Sequence, residues 1–256
     1  MWVGEQSGKT QDRGEVVPAT DCVVECASVA PKGNEKYVAL TFDEGPSGAT
    51  KQILQVLKEK GVTATFFLSG DAAEASPATA KAIVDAGCEV SSNSYRDESL
   101  KGKDRDAVRE QVSKGTEAIK SATGTSTMLL RAPYAAFDEQ NWIDAMDLVS
   151  AVVSWNIDSG DWLLNGADEQ VSTVLDSVTP GNIVLLTDND ECAEQTLEAL
   201  PQIIDGLIAD GYKIVTLSDL VKTDTSLSKK LTSLTKVTMP KNAVFPQLAE
   251  DDDTTE

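Results

Sequence analysis

The chain has 256 residues, 22 basic against 42 acidic side chains, a net charge of −20 and no histidine. That charge argues against a nucleic-acid partner, which rewards a basic footprint, and against docking on anionic lipid by charge alone. The lack of histidine excludes Ser-His-Asp and Cys-His catalysis and removes the commonest transition-metal ligand.

Residues 1–34 are polar without a clear period and read as an N-terminal arm or linker. They lack the apolar stretch of a signal peptide. Cys22 and Cys26 stand there in CVVEC, a poor zinc signal without histidine or further paired cysteines. A local disulfide and free thiols both stay open. Cys88 and Cys192 read as small apolar core residues. The first strong element is KYVALTFDEGP: an apolar, β-branched strand over Tyr37–Phe42 that delivers Asp43 and Glu44 onto a turn at Gly45 and Pro46. Lys51–Lys60 follows as a helix with Ile53, Leu54, Val56 and Leu57 on one face, closed by Gly61. Val62–Leu68 is a second strand, Ala72–Ala86 one Ala-rich helix, and Glu89–Ser91 a short strand entering SNSYRDESL. Asp104–Thr123 is a helix, Met128–Leu130 a strand into RAPY, and Asp138–Leu148 a helix. Ala151–Trp155 is a strand into NIDSGDW, Ala167–Val178 a helix, and Asn182–Leu186 a strand into TDND. Cys192–Ala209 is an amphipathic helix, Tyr212–Leu217 the last strand, and Ser218 the cap of a short helix.

Strands alternating with helices of this length predict an α/β fold with a parallel sheet. About seven such units fit a (β/α) barrel better than an open sheet. Polar clusters sit at the strand C-termini, the face that carries the site in barrels. The barrel spans 35–223, and 224–256 reads as a polar, acidic C-terminal tail ending in EDDDTTE. No run of about 18 apolar residues exists, so no membrane span is expected.

The ordered set TFDEGP, SNSYRD, RAPY, DSGDW and LLTD resembles the five motifs of the polysaccharide deacetylase family, the NodB-homology carbohydrate esterases. LPQIIDGLIADGYKIVTLSDLV is similar to the family's last helix and strand, so the likeness covers roughly 36–222. It implies a distorted (β/α) barrel of about seven parallel strands. It also implies metal-dependent removal of acetyl groups from N-acetylated sugars, and an extracellular or cell-surface location. On the family pattern Asp43 is the general base, and Glu44 stands where a metal-binding Asp is usual. Asn93 and Asp97 stand at the two histidine ligands, and Thr187 at the histidine acid. Arg131 orients the base, and Tyr134 gives a backbone N–H to the oxyanion. Asp158 and Asp161 belong to the motif that orients the arginine, and Trp162 lines the acetyl pocket.

Every histidine of that pattern is missing here. Glu, Asn and Asp make an oxygen-only set that suits Mg²⁺, Ca²⁺ or Mn²⁺ if any cation, so no tightly bound zinc is expected. Without zinc the attacking water keeps its high pKa. Without a general acid, amine expulsion loses about 10²–10⁴ in rate. The expected function is a catalytically impaired domain that binds an N-acetylated glycan or a surface protein. The alternative is an active deacetylase with a hard metal held by Glu44, Asp97 and Asp43. A glycosidase using Asp43 and Glu44 as acid and base is a third reading, disfavoured by RAPY and DSGDW.

Overall fold

The computed structural model describes residues 28–127, 129–145 and 147–225. The first expected strand forms as β1 (Lys36–Glu44), the centre of a wholly parallel sheet. The other strands are β2 (Thr65–Leu68), β3 (Glu89–Ser92), β4 (Leu129–Leu130), β5 (Ala151–Val152), β6 (Ile157–Asp158), β7 (Ile183–Thr187) and β8 (Tyr212–Ile214). Their order is β5-β4-β3-β2-β1-β7-β6, with β8 beside β1. The carbonyls of Tyr37 and Val38 point to opposite edges of β1. The first accepts from Gly181 N–H on the β7 side, and the second accepts from Val215 N–H after β8. So β7 runs along one edge of β1, while β2 and β8 share the other.

The two-residue period of a strand explains the layers. Val38, Leu40, Phe42, Phe66, Leu68, Val184 and Leu186 pack in one cluster with the helices. Their neighbours Ala39, Phe67, Leu130, Ile183, Leu185 and Trp155 belong to a second cluster on the inner side of the curl. Burial on both faces is why these strands read as continuous apolar runs. Cys88 lies in the first cluster, as expected of a small apolar residue.

The helices are α1 (Thr50–Lys60), α2 (Gly70–Ala75), α3 (Pro77–Asp85), α4 (Arg105–Thr123), α5 (Glu139–Ala145), α6 (Ala167–Ser177), α7 (Ala193–Ala209) and α8 (Leu217–Thr223). Gly61 closes α1 in the left-handed conformation at φ 68°, as the sequence predicts. Three expectations are corrected. The single helix over Ala72–Ala86 is two, because Pro77 has no N–H to continue the first and restricts Ser76 before it. The strand over Ala151–Trp155 is only Ala151–Val152, and a separate short strand, β6, follows beyond it at the opposite edge of the sheet. After Val153 N–H bonds Leu130, the chain crosses the open seam and resumes pairing with β7 at Asn156. Finally, Thr216 rather than Ser218 caps α8, accepting from Asp219 N–H, while Ser218 hydrogen-bonds Glu89.

Within the segment read as an arm, Val29 is buried, Ala30 N–H donates to Asp224 and Lys32 N–H to the Thr223 carbonyl. The calls on Cys22, Cys26 and the tail from 226 onward lie outside the described residues. Among the described residues no helix is long and apolar enough to cross a membrane.

Candidate functional site

The five motif loops leave the C-terminal ends of β1, β3, β4, β6 and β7. Backbone strain gathers there. Among the described residues the non-glycine positions with positive φ are Glu44, Ser94, Tyr134, Ala135 and Leu164, all in or beside these motifs. Such conformations cost of order 1–3 kcal/mol each and persist only where the surroundings fix them.

Arg131, at the end of β4, is the organising side chain, 1% exposed. One Nη1 donates to Asp43 Oδ1 at 2.7 Å and to Thr41 Oγ1 at 2.8 Å. Nε donates to the Val153 carbonyl at 3.1 Å and Nη2 to that of Ser154 at 3.2 Å. The guanidinium lies over the Phe67 ring, 4.0 Å from its centroid, with Trp155 5.6 Å away. It therefore ties β1 to the segment crossing the open seam of the curl. Thr41 and Asp43 both reach it because they are two residues apart on one strand face. Burial pushes the Asp43 carboxyl up to about 6 against the pull of Arg131.

Glu44, Asn93 and Asp97 come to the same face, but each is engaged by the protein. Asn189 Nδ2 donates to Glu44 Oε2 at 2.8 Å, and burial raises the Glu44 carboxyl to about 7. Asn93, 1% exposed, donates its amide to the Arg131 carbonyl at 2.9 Å. Asp97 Oδ2 accepts from Tyr134 OH at 2.5 Å. Burial is also the largest cause raising Asp97, opposed by that hydroxyl. Tyr134 is raised by burial and by its bond to Asp97. Its ring is half exposed, as is that of Trp162.

Asp158 was expected to orient Arg131. Its carboxylate instead accepts from Gly160 N–H at 2.9 Å and the Trp162 indole N–H at 3.2 Å. Arg131 acts on it through space. Asp161 is fully buried and holds Thr187 twice, accepting from its N–H at 2.6 Å and its hydroxyl at 2.9 Å, and takes Thr196 Oγ1 at 3.1 Å. Burial raises Asp161 to about 6. Thr187 is thus a hydrogen-bonded hydroxyl beside a carboxylate, and the hydroxyl itself cannot protonate an amine near neutral pH.

Beyond Thr187 and the LLTD motif, sequence reasoning marked TDND only as a polar cluster. In the structure it pins the turn after β1. Asp188 accepts from Ser47 at 2.6 Å and Thr50 at 2.7 Å, Asn189 bonds Glu44, and Asp190 accepts from Gly48 N–H at 2.9 Å. Gly45 is required there, since a Cβ would lie 2.2 Å from Asp188 Oδ2. The signal available beforehand was two strand ends, DEGP and TDND, rich in short polar side chains. Thr41 was missed too, although it alternates onto the inner face with Asp43. Cys192 is buried beside this loop, its Sγ 3.0 Å from Asn189 Oδ1, and burial pushes its thiol up to about 12.

The divalent metal that the resemblance implies does not fit these side chains. Glu44, Asn93 and Asp97 offer neither imidazole nor thiolate to a catalytic zinc, and one oxygen each of Glu44 and Asp97 is taken up by Asn189 and Tyr134. Among the described residues no three Cys, Asp or Glu side chains converge as a cation would need.

A family model described as polysaccharide deacetylase matches residues 30–149. A peptidoglycan-N-acetylglucosamine deacetylase of Bacillus cereus is 31% identical over 217 residues, covering 84% of this chain and 79% of that protein. A bifunctional xylanase/deacetylase of Pseudobutyrivibrio xylanivorans is 36% identical over 189 residues, 73% of this chain. The matched part spans only 31% of that relative's length. Among solved structures, a CE4 family pseudoenzyme from Bacillus anthracis superposes with a TM-score of 0.67 at 31% identity, over 73% of this chain and 66% of that one. A mutant of it with restored enzymatic activity superposes with a TM-score of 0.68 at 32% identity, over 73% of this chain and 68% of that one.

Proposed function

The chain belongs to the polysaccharide deacetylase family, and from that premise we propose that it is a catalytically impaired member, kept as a binding module. Its ligand is a carbohydrate of the amino-sugar class rather than a surface protein, and it works outside the cell or at its surface. One observation carries the reading. The side chains standing at the resemblance's metal and acid positions, Glu44, Asn93, Asp97 and Thr187, are all held by protein partners. A deacetylase needs metal ligands and an acid at those positions to polarise a carbonyl, activate water and protonate the leaving amine, and no imidazole stands at any of them. The half-exposed rings of Tyr134 and Trp162 support the carbohydrate reading, because an aromatic face stacks on the apolar face of a pyranose.

The test is acetate release from N-acetylglucosamine oligomers with Mg²⁺, Ca²⁺, Mn²⁺ or Zn²⁺ added. The expected result is no release above the uncatalysed rate, at a protein concentration where an active relative is easily measured. Release that depends on Mg²⁺, Ca²⁺ or Mn²⁺ would establish instead an active deacetylase with an oxygen-ligated metal at Glu44, Asp97 and Asp43. Oligomer binding weakened by Trp162→Ala is the positive arm.

A further inference from the structure

We propose that the exposed loop from Trp162 to Leu164, with the outer side of α6 beside it, is the docking surface for this chain's own residues 226–241. The proposal stands whether or not the loop also meets a glycan.

Among the described residues five large apolar side chains are exposed, and three of them, Trp162, Leu163 and Leu164, are consecutive. The loop that carries them is braced at both ends. Asp158 accepts from Gly160 N–H and from the Trp162 indole. Gln195 accepts from Gly166 N–H at 2.8 Å and donates to the Asp161 carbonyl at 3.1 Å. Gly160, Leu164 and Gly166 stand at φ 72°, 57° and 97°. For a leucine that left-handed backbone is strained. A braced, strained backbone thus holds three apolar side chains away from the core, and an exposed apolar patch of this kind marks a contact surface. Leu163 and Leu164 offer a sugar no hydrogen bond, so they point to apolar side chains of a peptide.

Charge and chain path name the peptide. Residues 132–212 contain 16 acidic side chains and no basic one. Asp168, Glu169 and Asp176 line the exposed side of α6, with no ion pair among the described residues. Residues 225–249 are the reverse. Lys229, Lys230, Lys236 and Lys241 stand there without an acid, interleaved with Leu227, Leu231, Leu234, Val237 and Met239. The segment also starts in the right place. Thr225 is tied to Lys32, and Asp224 to Ala30 N–H. Val29 and Pro31 lie against Gly181, where a Cβ would stand 2.1 Å from the Val29 carbonyl oxygen. Gly181 follows the C-terminal end of α6, and the apolar loop precedes its N-terminal end. The 11 residues of α6 span about 16 Å, which about five or six extended residues cover. Leaving Thr225 along α6, the chain brings Lys229 and Lys230 past the carboxylates and Leu231 to the loop.

Zero-length carbodiimide coupling of the full chain, followed by peptide mass mapping, tests this, because it joins only lysines and carboxylates already in contact. Lys229, Lys230 or Lys236 should link to Asp168, Glu169 or Asp176. Leu163→Ser combined with Leu164→Ser should remove these links and keep the one between Lys60 and Asp205, an ion pair at 2.6 Å elsewhere on the surface. No link from the three lysines to α6, or links that survive the serine variant, overturns the proposal. A mixture of isotopically light and heavy chains identifies the occupant. Links within one label support it, and links joining light to heavy chains put a second copy on the surface and overturn it. Acrylamide quenching in a Trp2→Phe background gives an independent reading should the serine variant misfold. Trp142 and Trp155 are buried, so the quenchable signal is that of Trp162. Lys229→Glu with Lys230→Glu should make Trp162 more quenchable, and unchanged quenching overturns the proposal.

Discussion

Arg131 puts a full charge where the inner side of a curled sheet ordinarily packs aliphatic groups. It persists because five acceptors and ring faces receive it: Asp43, Thr41, the Val153 and Ser154 carbonyls, and the Phe67 face. Arg131→Lys keeps the charge but loses the planar fork that reaches both β1 and the seam. Its expected cost is about 1–3 kcal/mol, the range for leaving buried acceptors without their donors, seen as a lower urea midpoint. A loss within ~0.5 kcal/mol would mean that the seam holds without it. The raised carboxylates make a second prediction at this scale. Asp161 sits near 6 and Glu44 near 7, both above their ordinary values because burial disfavours the charged form. A raised acid binds more protons folded than unfolded across the window from about pH 4 to 7, so stability falls as pH rises through it. The melting temperature should be several degrees higher near pH 5 than near pH 8, and Asp161→Asn should flatten the slope. A melting temperature that climbs from pH 5 to 8 would refute the assignment.

The elements fix the loops by close approach. In α4, Gly115 lets the SNSYRD loop lie against the helix, since a Cβ there would stand 2.5 Å from Ser94 C and O. Gly115→Ala should cost about 1–3 kcal/mol, the usual range for overpacking, although alanine is the better helix former. It should also move Tyr95, whose ring carries Lys114 Nζ 3.8 Å from its centroid and whose hydroxyl bonds Glu74. Thermal melting together with Tyr95 fluorescence checks both, and a stabilised variant would contradict the packing. The β1 strand, the helices of clear period and the Gly61 cap were legible because they follow local rules: an apolar run, a helical stripe, a glycine at a left-handed turn. The break at Ser76–Pro77 is also local, since proline cannot continue the first helix, although the Ala-rich composition on both sides reads as one. The crossing at Val153–Asn156 was not legible. It is set by where neighbouring strands end, which one sequence does not display.

For the whole molecule, the ordered motifs gave the fold and the face of the site, because barrel strands deliver their C-terminal loops to one end. The partners within that end were less readable. Asn189 on Glu44, Tyr134 on Asp97 and Asp161 on Thr187 join residues 145, 37 and 26 positions apart, pairings that follow from strand order rather than local pattern. These same bonds hold the positions where the family pattern would place its ligands and acid, and they are the central claim.

The most direct test is calorimetric zinc titration of the dialysed parent and of a variant carrying Glu44→Asp, Asn93→His, Asp97→His and Thr187→His. The parent should show no binding isotherm. The variant should take up zinc, since binding needs ligand identity and approximate geometry. Acetate release should return only in part, because orientation must be right to within about 0.5 Å. A parent that keeps near-stoichiometric zinc, or a folded variant that binds zinc no better than the parent, would contradict the account.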